Sequence, residues 1–179
     1  MTENPVAALA PAYHFAASAH VHQRRKGETA EPYINHLTEV AELVARATRG
    51  ADPEVIIAAV LHDTVEDTAT SLSDVEAAFG PRVAGLVAEV TDDKSLPKQV
   101  RKVLQIEHAP HLSRGARIIK LADKTSNLRA LRTSPPAGWE EERKSDYVVW
   151  ARRVVDGGRS ADAWLAGQFD AAADAYEHA

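Results

Sequence analysis

The sequence contains no cysteine. Disulfide bonds, thiolate metal sites and cysteine nucleophiles are therefore excluded, and the chain is compatible with a reducing cytosol. A long apolar run is also lacking, because no stretch approaches the roughly 20 residues that a membrane-spanning helix requires. The first residues show neither the basic nor the apolar region of a signal peptide. We therefore expect a cytoplasmic protein with no membrane partner.

An excess of positive charge is absent as well, since the formal net charge of the 179 residues is −5. Such a chain does not attract nucleic acid in general, so an anionic ligand must be bound by a local cluster of Lys and Arg. The 45% hydrophobic and 26% charged composition is that of a soluble globular protein. The length favours a single domain over residues 1–179. The sequence does not indicate an oligomeric state.

The sequence does contain a series of helical patterns, with apolar residues at helical spacing between proline, glycine and capping residues. No pair of alternating runs around a tight turn suggests a β-hairpin. Ser73 to Glu76 fits a capping box. We therefore predict an all-α bundle of about eight to ten helices. The predicted helices cover residues 6–22, 32–49, 52–67, 73–79, 81–90, 97–108, 113–131, 139–155 and 160–177.

One stretch combines a buried helix with a group of charged residues, VIIAAVLHDTVED from Val55 to Asp67. Asp52 and Pro53 supply an N-cap and a first-turn proline, so one helix is predicted from there through the acids. Unpaired charges at the end of a buried helix are costly, and a bound cation would remove that cost. The ordinary alternative, a helix end with a histidine and some solvated acids, stays open for this stretch alone.

Two further helices offer polar side chains. Lys120, Asp123 and Asn127 share one stripe of a helix that is otherwise mostly apolar, and we expect this stripe to face a cavity. A solvent-facing stripe of routine ion pairs is the alternative. His36 lies beside the apolar stripe of the helix that Pro32 opens. Taken alone, it is better explained as a histidine at the edge of the core, satisfied by a backbone carbonyl.

Together, these stretches offer a mixed set of imidazole and carboxylate groups: His36, His62, Asp63 and Asp123. Two nitrogen and two carboxylate ligands suit an octahedral Mn²⁺ or Fe²⁺, and they can also bind Zn²⁺ or Ni²⁺. Such an ion lowers the pKa of a bound water to about 7 and neutralises charge on a phosphoryl oxygen. Glu66 and Asp67 follow the central pair and are candidates to orient or deprotonate that water.

The order of these residues resembles that of the HD-domain metal-dependent phosphohydrolases. Four strings narrow the resemblance to the hydrolase domain of the RelA/SpoT-type alarmone enzymes: RRKGETAEPYINH, AAVLHDTVEDT, EVTDDKSLPK and KLADKTSNL. They are most similar to the small stand-alone members, which hydrolyse (p)ppGpp. The similarity covers a motif-bearing core of about residues 13–155, followed by the helix at about 160–177. A synthetase domain does not fit into 179 residues. The chain departs from the family at Thr125 and Ser126, where a bulkier and often aromatic pair is expected.

The resemblance implies a role for each matching residue. His36, His62, Asp63 and Asp123 would bind one divalent ion, Mn²⁺, and Glu66 and Asp67 would be the catalytic acids. The residues implied to bind substrate are Arg24, Lys26, Lys98, Asn127, Arg143 and Tyr147. Arg24 would lie along the guanine base, and Asn127 would contact the substrate near the metal. Lys98, Arg143 and Tyr147 would hold ribose or phosphates. Trp139, Arg143 and Tyr147 share one helical stripe, which can also be explained as an aromatic stripe packed into the core.

The reaction that the resemblance implies is hydrolysis of the 3′-pyrophosphate of ppGpp or pppGpp to GDP or GTP and pyrophosphate. This reaction would lower alarmone levels in the stringent response. A phosphatase that removes the 2′-phosphate of NADPH at the same site is the nearest alternative. A catalytically inactive nucleotide-binding regulator and a helical interaction protein are the non-enzymatic alternatives. The remaining histidines are expected at the surface: His14, His20, His22, His108, His111 and His178.

Overall fold

The computed structural model describes residues 5–177, with side chains described from residue 7 onward. Residues 1–4 and 178–179, which include His178, lie outside this range. The described residues form α1 (Pro5–Ala19), α2 (Ile34–Thr48), α3 (Pro53–Leu61), α4 (Thr64–Asp67), α5 (Leu72–Phe79), α6 (Pro81–Val90), α7 (Lys98–His108), α8 (Arg114–Thr133), α9 (Glu141–Gly158) and α10 (Ala163–Glu177). Two 3₁₀ turns lie at Ala109–His111 and Arg159–Ala161. Within residues 5–177 the only extended pairings are two isolated bridges, so the predicted all-α class is confirmed.

The apolar helix α3 lies at the centre of the bundle. Every residue from Val55 to Leu61 is buried, and the helix packs against α1, α2, α6 and α8. Asp52 caps the start of this helix, because its side chain accepts a hydrogen bond from the backbone N–H of Val55, and Pro53 occupies the first turn as predicted. Each fully buried Val, Leu or Ile contributes roughly 1.5–3 kcal/mol to folding. The cap therefore stabilises the first turn of α3, and the burial of its apolar side chains stabilises the rest of the helix.

The prediction of one continuous helix from Asp52 through the acids is wrong at His62. Helix α3 ends at Leu61, a turn follows, and α4 begins at Thr64. Asp63 has φ −100° and ψ −3°, outside regular helical geometry. Adjacent residues on a regular helix point about 100° apart. The break changes the direction of the chain, so that His62 and Asp63 both face the same cluster.

The longest helix, α8, crosses the middle of the molecule and packs against α2, α3, α6, α9 and α10. It starts as predicted, because the Ser113 side chain accepts a hydrogen bond from the N–H of Ala116. Neighbours on nearly every side bury even its polar residues, among them Asp123, Lys124 and Ser126. Buried polar groups need partners, and those partners form the site described below.

The capping box lies at a different serine from the predicted one. Ser71, not Ser73, accepts from the N–H of Asp74, and the Asp74 side chain accepts from the N–H of Ser71. The spacing of a capping box is the same in both cases, but aspartate replaces glutamate at its third position.

Within residues 5–177, no helix is long and apolar enough to cross a membrane.

Two loops meet beside the C-terminal end of α8. The basic loop, residues 23–32, pairs with the segment 134–139 through an isolated bridge between Gly27 and Pro136 and a hydrogen bond from Ala137 N to Lys26 O. A Cβ atom at Gly27 would lie 2.2 Å from the Oγ of Ser134 and 2.4 Å from its carbonyl oxygen. Glycine is needed there because the two backbones approach so closely.

Candidate metal centre and active site

Two imidazoles and two carboxylates converge where α2, the turn after α3 and α8 meet. The ligand atoms of His36, His62 and Asp123 lie within 4.8 Å of one another. The Oδ1 of Asp123 is 3.3 Å from the Nε2 of His36 and 3.8 Å from the Nε2 of His62. The Oδ2 of Asp63 is 3.6 Å and 3.2 Å from the same two nitrogens. Three elements distant in sequence therefore bring the four predicted ligands together.

Hydrogen bonds fix which ring nitrogen of each histidine faces the cluster. The Nδ1 of His62 lies 2.8 Å from the carbonyl oxygen of Ala59, which can only accept, so Nδ1 carries the proton. The Nδ1 of His36 lies 2.9 Å from the Oγ of Ser126, and that hydroxyl already donates to Glu39. It therefore accepts from His36. Both Nε2 atoms are left facing the carboxylates, which is how metal-binding histidines are oriented.

The arrangement fits a divalent cation. Both histidines are about 97% buried, and among the described residues neither Nε2 atom has a hydrogen-bonding partner of suitable geometry. A buried nitrogen without a partner is costly, and a cation among two imidazoles and two carboxylates removes that cost. Burial alone would lower the pKa of His62, but the carboxylates of Asp63 and Asp123 raise it to about 10. The cluster thus demands positive charge at this nitrogen, from a proton or a metal.

A chain of polar groups supports His36 from behind. Ser126 donates to the Oε2 of Glu39 at 2.7 Å, and Arg129 donates to the Oε1 of Glu39 at 3.0 Å. Arg129 in turn contacts Gln168 of α10 at 2.9 Å. Ser126, where the resemblance led us to expect a bulkier residue, therefore has two specific partners, Glu39 and the candidate ligand His36.

Both candidate carboxylate ligands are held by further donors. Tyr33 donates its hydroxyl to the Oδ2 of Asp63 at 2.6 Å. Asp123 accepts from Lys124 at 2.9 Å and from the Nδ2 of Asn127 at 2.6 Å. Burial alone would raise the pKa of Asp123, but Lys124 and the two histidines hold it well below its usual value. Asp123 is therefore ionised and oriented.

The two predicted catalytic acids lie beside this cluster and are held differently. The Oε2 of Glu66 accepts from the N–H of Asp92 at 3.0 Å, and its Oε1 is 3.8 Å from Arg101. Asp67 accepts from Gln23 through Oδ2 at 2.8 Å and from Lys94 through Oδ1. Burial raises the pKa of Glu66, which makes its carboxylate a stronger base than a solvated one.

The cluster opens into one cavity through Asp63 and Asp123, and a second cavity adjoins the first. The larger has a volume of about 620 Å³ and the smaller about 230 Å³. Both are lined by Lys26, Tyr33, Asp67, Asn127, Trp139 and Tyr147. The cations around the larger cavity are Lys26, Lys94, Lys98, Arg101, Lys102, Lys120, Lys124 and Arg143. A local cationic cavity on an acidic chain is what the sequence requires for an anionic ligand.

The predicted substrate-binding residues line one or both of these cavities. Lys98 and Arg143 lie on the larger one, together with the shared residues Lys26, Asn127 and Tyr147. Arg24 lies on the smaller cavity, and its guanidinium donates to the backbone carbonyls of Val21 and Gln23.

The predicted stripe of α9 lines the cavity with an arginine over an aromatic ring. Arg143 stacks over Trp139 at 4.3 Å, and the rings of Trp139 and Tyr147 are 5.9 Å apart. Trp139 precedes the first turn of α9, so the helix begins two residues later than predicted. The larger cavity is lined by both ends of this stripe.

Several residues of the site were not predicted from the sequence, among them Arg25, Tyr33 and His20. Arg25, next to Arg24, donates from both Nη atoms to the Oδ1 of Asn127 at 3.2 Å. Tyr33 binds Asp63, and His20 is only 3% exposed although a surface position was expected. The PYINH string and the run of basic residues mark this region as functional. They do not indicate which of two adjacent arginines turns inward.

This fold and site define the class of the protein. Residues 12–152 match the HD domain family, and the chain belongs to it.

Its relatives include the guanosine-3′,5′-bis(diphosphate) 3′-pyrophosphohydrolases MESH1. The Xenopus tropicalis protein is 48% identical over 92% of each chain, and the Homo sapiens protein is 52% identical over 84% of each. A solved structure of a metazoan orthologue of SpoT that hydrolyses ppGpp matches with a TM-score of 0.90 and 47% identity over 96% of both chains. The predicted family is confirmed, while the individual residue roles stay predictions.

Proposed function

We propose that this protein hydrolyses the 3′-pyrophosphate of ppGpp or pppGpp, giving GDP or GTP and pyrophosphate. One observation carries the proposal. The Nε2 atoms of His36 and His62, which have no hydrogen-bonding partner within residues 5–177, face two carboxylates at a cation-lined cavity. Relatives about half identical to this chain carry the name of that activity. A substrate with two pyrophosphate groups matches the charge of such a cavity.

The proposed cofactor is one Mn²⁺ ion, held by His36, His62, Asp63 and Asp123. Mixed nitrogen and oxygen ligands with room for water support manganese or iron over a purely structural zinc site. When bound, such an ion supplies Lewis-acid charge at the phosphoryl group and lowers the pKa of a water. The protein's own part is to keep both imidazoles in the Nδ1–H form, through Ala59 and Ser126.

Glu66 and Asp67 are proposed to act on the attacking water. Glu66 is the better candidate for the proton acceptor, because burial raises its pKa and Asp92 and Arg101 hold its carboxylate beside the cluster. Asp67, fixed by Gln23 and Lys94, would orient the water. The oxygen of the water joins the phosphorus on the 3′ oxygen, and Glu66 accepts a proton from it. The bond between that phosphorus and O3′ breaks, and O3′ takes up a proton as it leaves, which balances the proton that Glu66 accepts and gives the nucleotide its 3′-hydroxyl.

The phosphates are proposed to bind on the cationic wall. Lys98 has a lowered pKa because of burial and because Arg143 and Lys26 place like charges near it. Cations crowded in this way gain from an anion that bridges them. Lys26, Lys98 and Arg143 would therefore hold phosphates away from the reacting bond.

The nucleoside is proposed to bind between the basic loop and the aromatic stripe. The smaller cavity is lined by Arg24, Asn127, Trp139 and Tyr147. Their flat side chains suit a purine base, and the amide of Asn127 can hydrogen-bond to a ribose. Asn127 is already oriented by Arg25 on one side and Asp123 on the other. It would contact the substrate near the metal.

In the cell, this activity would lower alarmone levels in the stringent response. We place it in the cytoplasm, carried by one domain over residues 1–179. The chemistry of the site selects a small-molecule nucleotide as its partner.

The test is pyrophosphate release from ppGpp by the metal-stripped protein, with and without added Mn²⁺. We expect GDP and pyrophosphate only when Mn²⁺ is present, and parallel reactions with Fe²⁺, Zn²⁺ and Ni²⁺ rank the metals. Metal-dependent release of phosphate from NADPH, without turnover of ppGpp, would replace the proposal by a 2′-phosphatase. Tight binding of ppGpp without turnover of either compound would replace it by a nucleotide-binding regulator.

A further inference from the structure

A chain of hydrogen bonds connects the end of α1 to one of the candidate catalytic acids. The Nδ1 of His20 lies 2.5 Å from the Oε1 of Gln23. The Nε2 of the same glutamine donates to the Oδ2 of Asp67 at 2.8 Å. On its other side, the Nε2 of His20 lies 3.4 Å from the hydroxyl of Thr64.

The direction of every bond in this chain follows from its last member. An ionised Asp67 can only accept, so Gln23 must present its NH₂ group to it and its carbonyl oxygen to His20. That carbonyl oxygen can only accept, so the Nδ1 of His20 must carry a proton. The Nε2 of a neutral His20 is then an acceptor for Thr64. All donors in the chain point towards Asp67.

Two members of this chain of hydrogen bonds are buried, and the other two, Gln23 and Asp67, line the smaller cavity. His20 is 3% exposed and Thr64 is fully buried. The His20 ring also stacks on Tyr33, with centroids 5.2 Å apart and an angle of 18° between the planes. Tyr33 donates to Asp63, so one histidine lies behind the supports of two carboxylates. The buried end of this chain of hydrogen bonds and the single direction of all its bonds fix these polar groups in place.

The second partner of Asp67, Lys94, holds the carboxylate less firmly. The Oδ1 of Asp67 pairs with Lys94, whose side chain is 48% exposed and belongs to a loop. A surface ion pair of this kind contributes little and leaves both side chains free to move. If Gln23 were removed, Asp67 would keep only its solvent-facing partner, and its carboxylate would turn towards Lys94.

We propose that His20 and Gln23 are positioning residues for catalysis, which act through Asp67. Gln23 holds the Oδ2 of Asp67, and His20 holds the side-chain amide of Gln23 in the orientation that makes this possible. Neither residue contacts the reacting atoms. The inference rests on the proposed function, since it gives Asp67 its role in orienting the water.

The decisive experiment is a double-mutant cycle in the holoenzyme, with kcat and KM for ppGpp as readouts. A misplacement of about 1 Å in an active site can cost about 100-fold. We expect Gln23→Ala and His20→Ala each to lower kcat by roughly 10- to 100-fold. His20→Ala should change KM little, because His20 lies behind the cavities, whereas Gln23 also lines the smaller one. In an Asp67→Asn background, Gln23→Ala should lower kcat by less than about twofold, because the carboxylate through which Gln23 acts is already absent.

Two conservative variants separate positioning from folding. His20→Asn places an amide NH₂ where Nδ1 carries its proton, and it should restore most of the activity that His20→Ala loses. His20→Gln places its NH₂ near the position of Nε2, and it should not. His14→Ala, at an exposed histidine of α1, the helix that precedes His20, is the matched control and should leave kcat unchanged.

The proposal is overturned if Gln23→Ala and Asp67→Asn lower kcat independently, or if His20→Asn and His20→Gln behave alike. A measurement that does not depend on catalysis tests this hydrogen-bonded chain separately from the proposed function. Nitrogen-15 NMR of the wild-type protein should show the Nδ1–H tautomer for His20, and Gln23→Ala should remove the exchange protection of that proton. A wild-type protein inactive on ppGpp but with this tautomer would overturn the function alone, and the Nε2–H tautomer would overturn the chain itself.

Discussion

Glu66 and Asp67 are adjacent in sequence, yet their carboxylates have different hydrogen-bonding partners. Glu66 is held by a backbone N–H and lies near Arg101, and burial raises its pKa. Asp67 is held by two side chains, Gln23 and Lys94. A base gains from a raised pKa, whereas a group that only orients a water gains from fixed geometry. The two environments therefore support the proposed roles, Glu66 as the base and Asp67 as the group that orients the water.

Replacement of Glu66 tests the division directly. We expect Glu66→Gln to lower kcat by at least about 100-fold, the contribution of a positioned base, because the amide cannot accept the proton. Metal content, measured by elemental analysis, should stay at the wild-type level, since the cluster itself is untouched. Full activity in this variant would remove Glu66 from the mechanism.

The pH dependence of the wild-type enzyme follows from the same residue. Only ionised Glu66 can accept a proton, so kcat should fall as the pH decreases through its pKa. Because burial raises that pKa, the fall begins at a higher pH than for a solvated glutamate. The residual activity of Glu66→Gln should lack this acidic limb. An identical limb in both proteins would assign it to another group.

Ser126 offers a prediction about metal affinity. It accepts from the Nδ1 of His36 and donates to Glu39, so Ser126→Ala removes the group that fixes the ring. Loss of such a supporting bond typically weakens metal binding by about 10- to 100-fold. Titration of Mn²⁺ against a competing chelator measures the change. Ser160→Ala, at an exposed serine, is the control, and equal affinities in both variants would contradict the assignment.

At the scale of the elements, the helices were largely predictable because their signals are local. Asp52 with Pro53, and Ser113, start α3 and α8 where their sequence places them. The break after Leu61 was not predictable, because HDTVED is compatible with a continued helix. After the break His62 and Asp63 face the same cluster, and Asp63 is held there by Tyr33, 30 residues away in the sequence, which no local pattern records.

The site itself was predictable in its ligand types and less so in its supports. Imidazole and carboxylate groups carry their chemistry with them, so the four candidate ligands were found from sequence. His20 and Arg25 contribute through the direction in which they turn, and direction depends on packing against Tyr33 and Asn127. A histidine in a stretch without other signals reads as a surface residue until its neighbours in space are known.

The contact between the basic loop and the segment 134–139 gives a prediction at this scale. In Gly27→Ala the new Cβ meets the Ser134 carbonyl, a backbone atom that cannot turn away, so the loops must separate. We expect a higher KM for ppGpp, because Lys26 and Trp139 no longer line the cavity together, while Mn²⁺ affinity stays unchanged.

The control for this variant is Gly167→Ala in α10, where a Cβ meets no described atom within 4 Å. Alanine there should raise the melting temperature slightly, since it favours a helix by about 1 kcal/mol over glycine. It should leave KM unchanged. An unchanged KM in Gly27→Ala as well would show that the loop contact does not shape the substrate site.

At the scale of the whole molecule, the candidate centre joins parts that are far apart in the chain. His36 comes from α2, His62 and Asp63 from the turn after α3, and Asp123 from α8. These three elements also form much of the core. A cation site built from all three elements exists only in the folded state. The free energy of binding a cation there therefore adds to the free energy of unfolding.

Thermal unfolding with and without Mn²⁺ measures this coupling. At a free Mn²⁺ concentration 100 times the dissociation constant, the folded state gains about 2.7 kcal/mol. For a domain of this size, 1 kcal/mol corresponds to about 2–4 °C, so the melting temperature of the metal-stripped protein should rise by roughly 5–11 °C. Asp123→Asn should lose most of this rise, because an amide is a poorer ligand than a carboxylate. Asp156→Asn, at a side chain that is 66% exposed, should keep it. An equal rise in both variants would place the manganese site elsewhere in the molecule, and no rise in the wild type would mean that the buried histidines do not bind this ion.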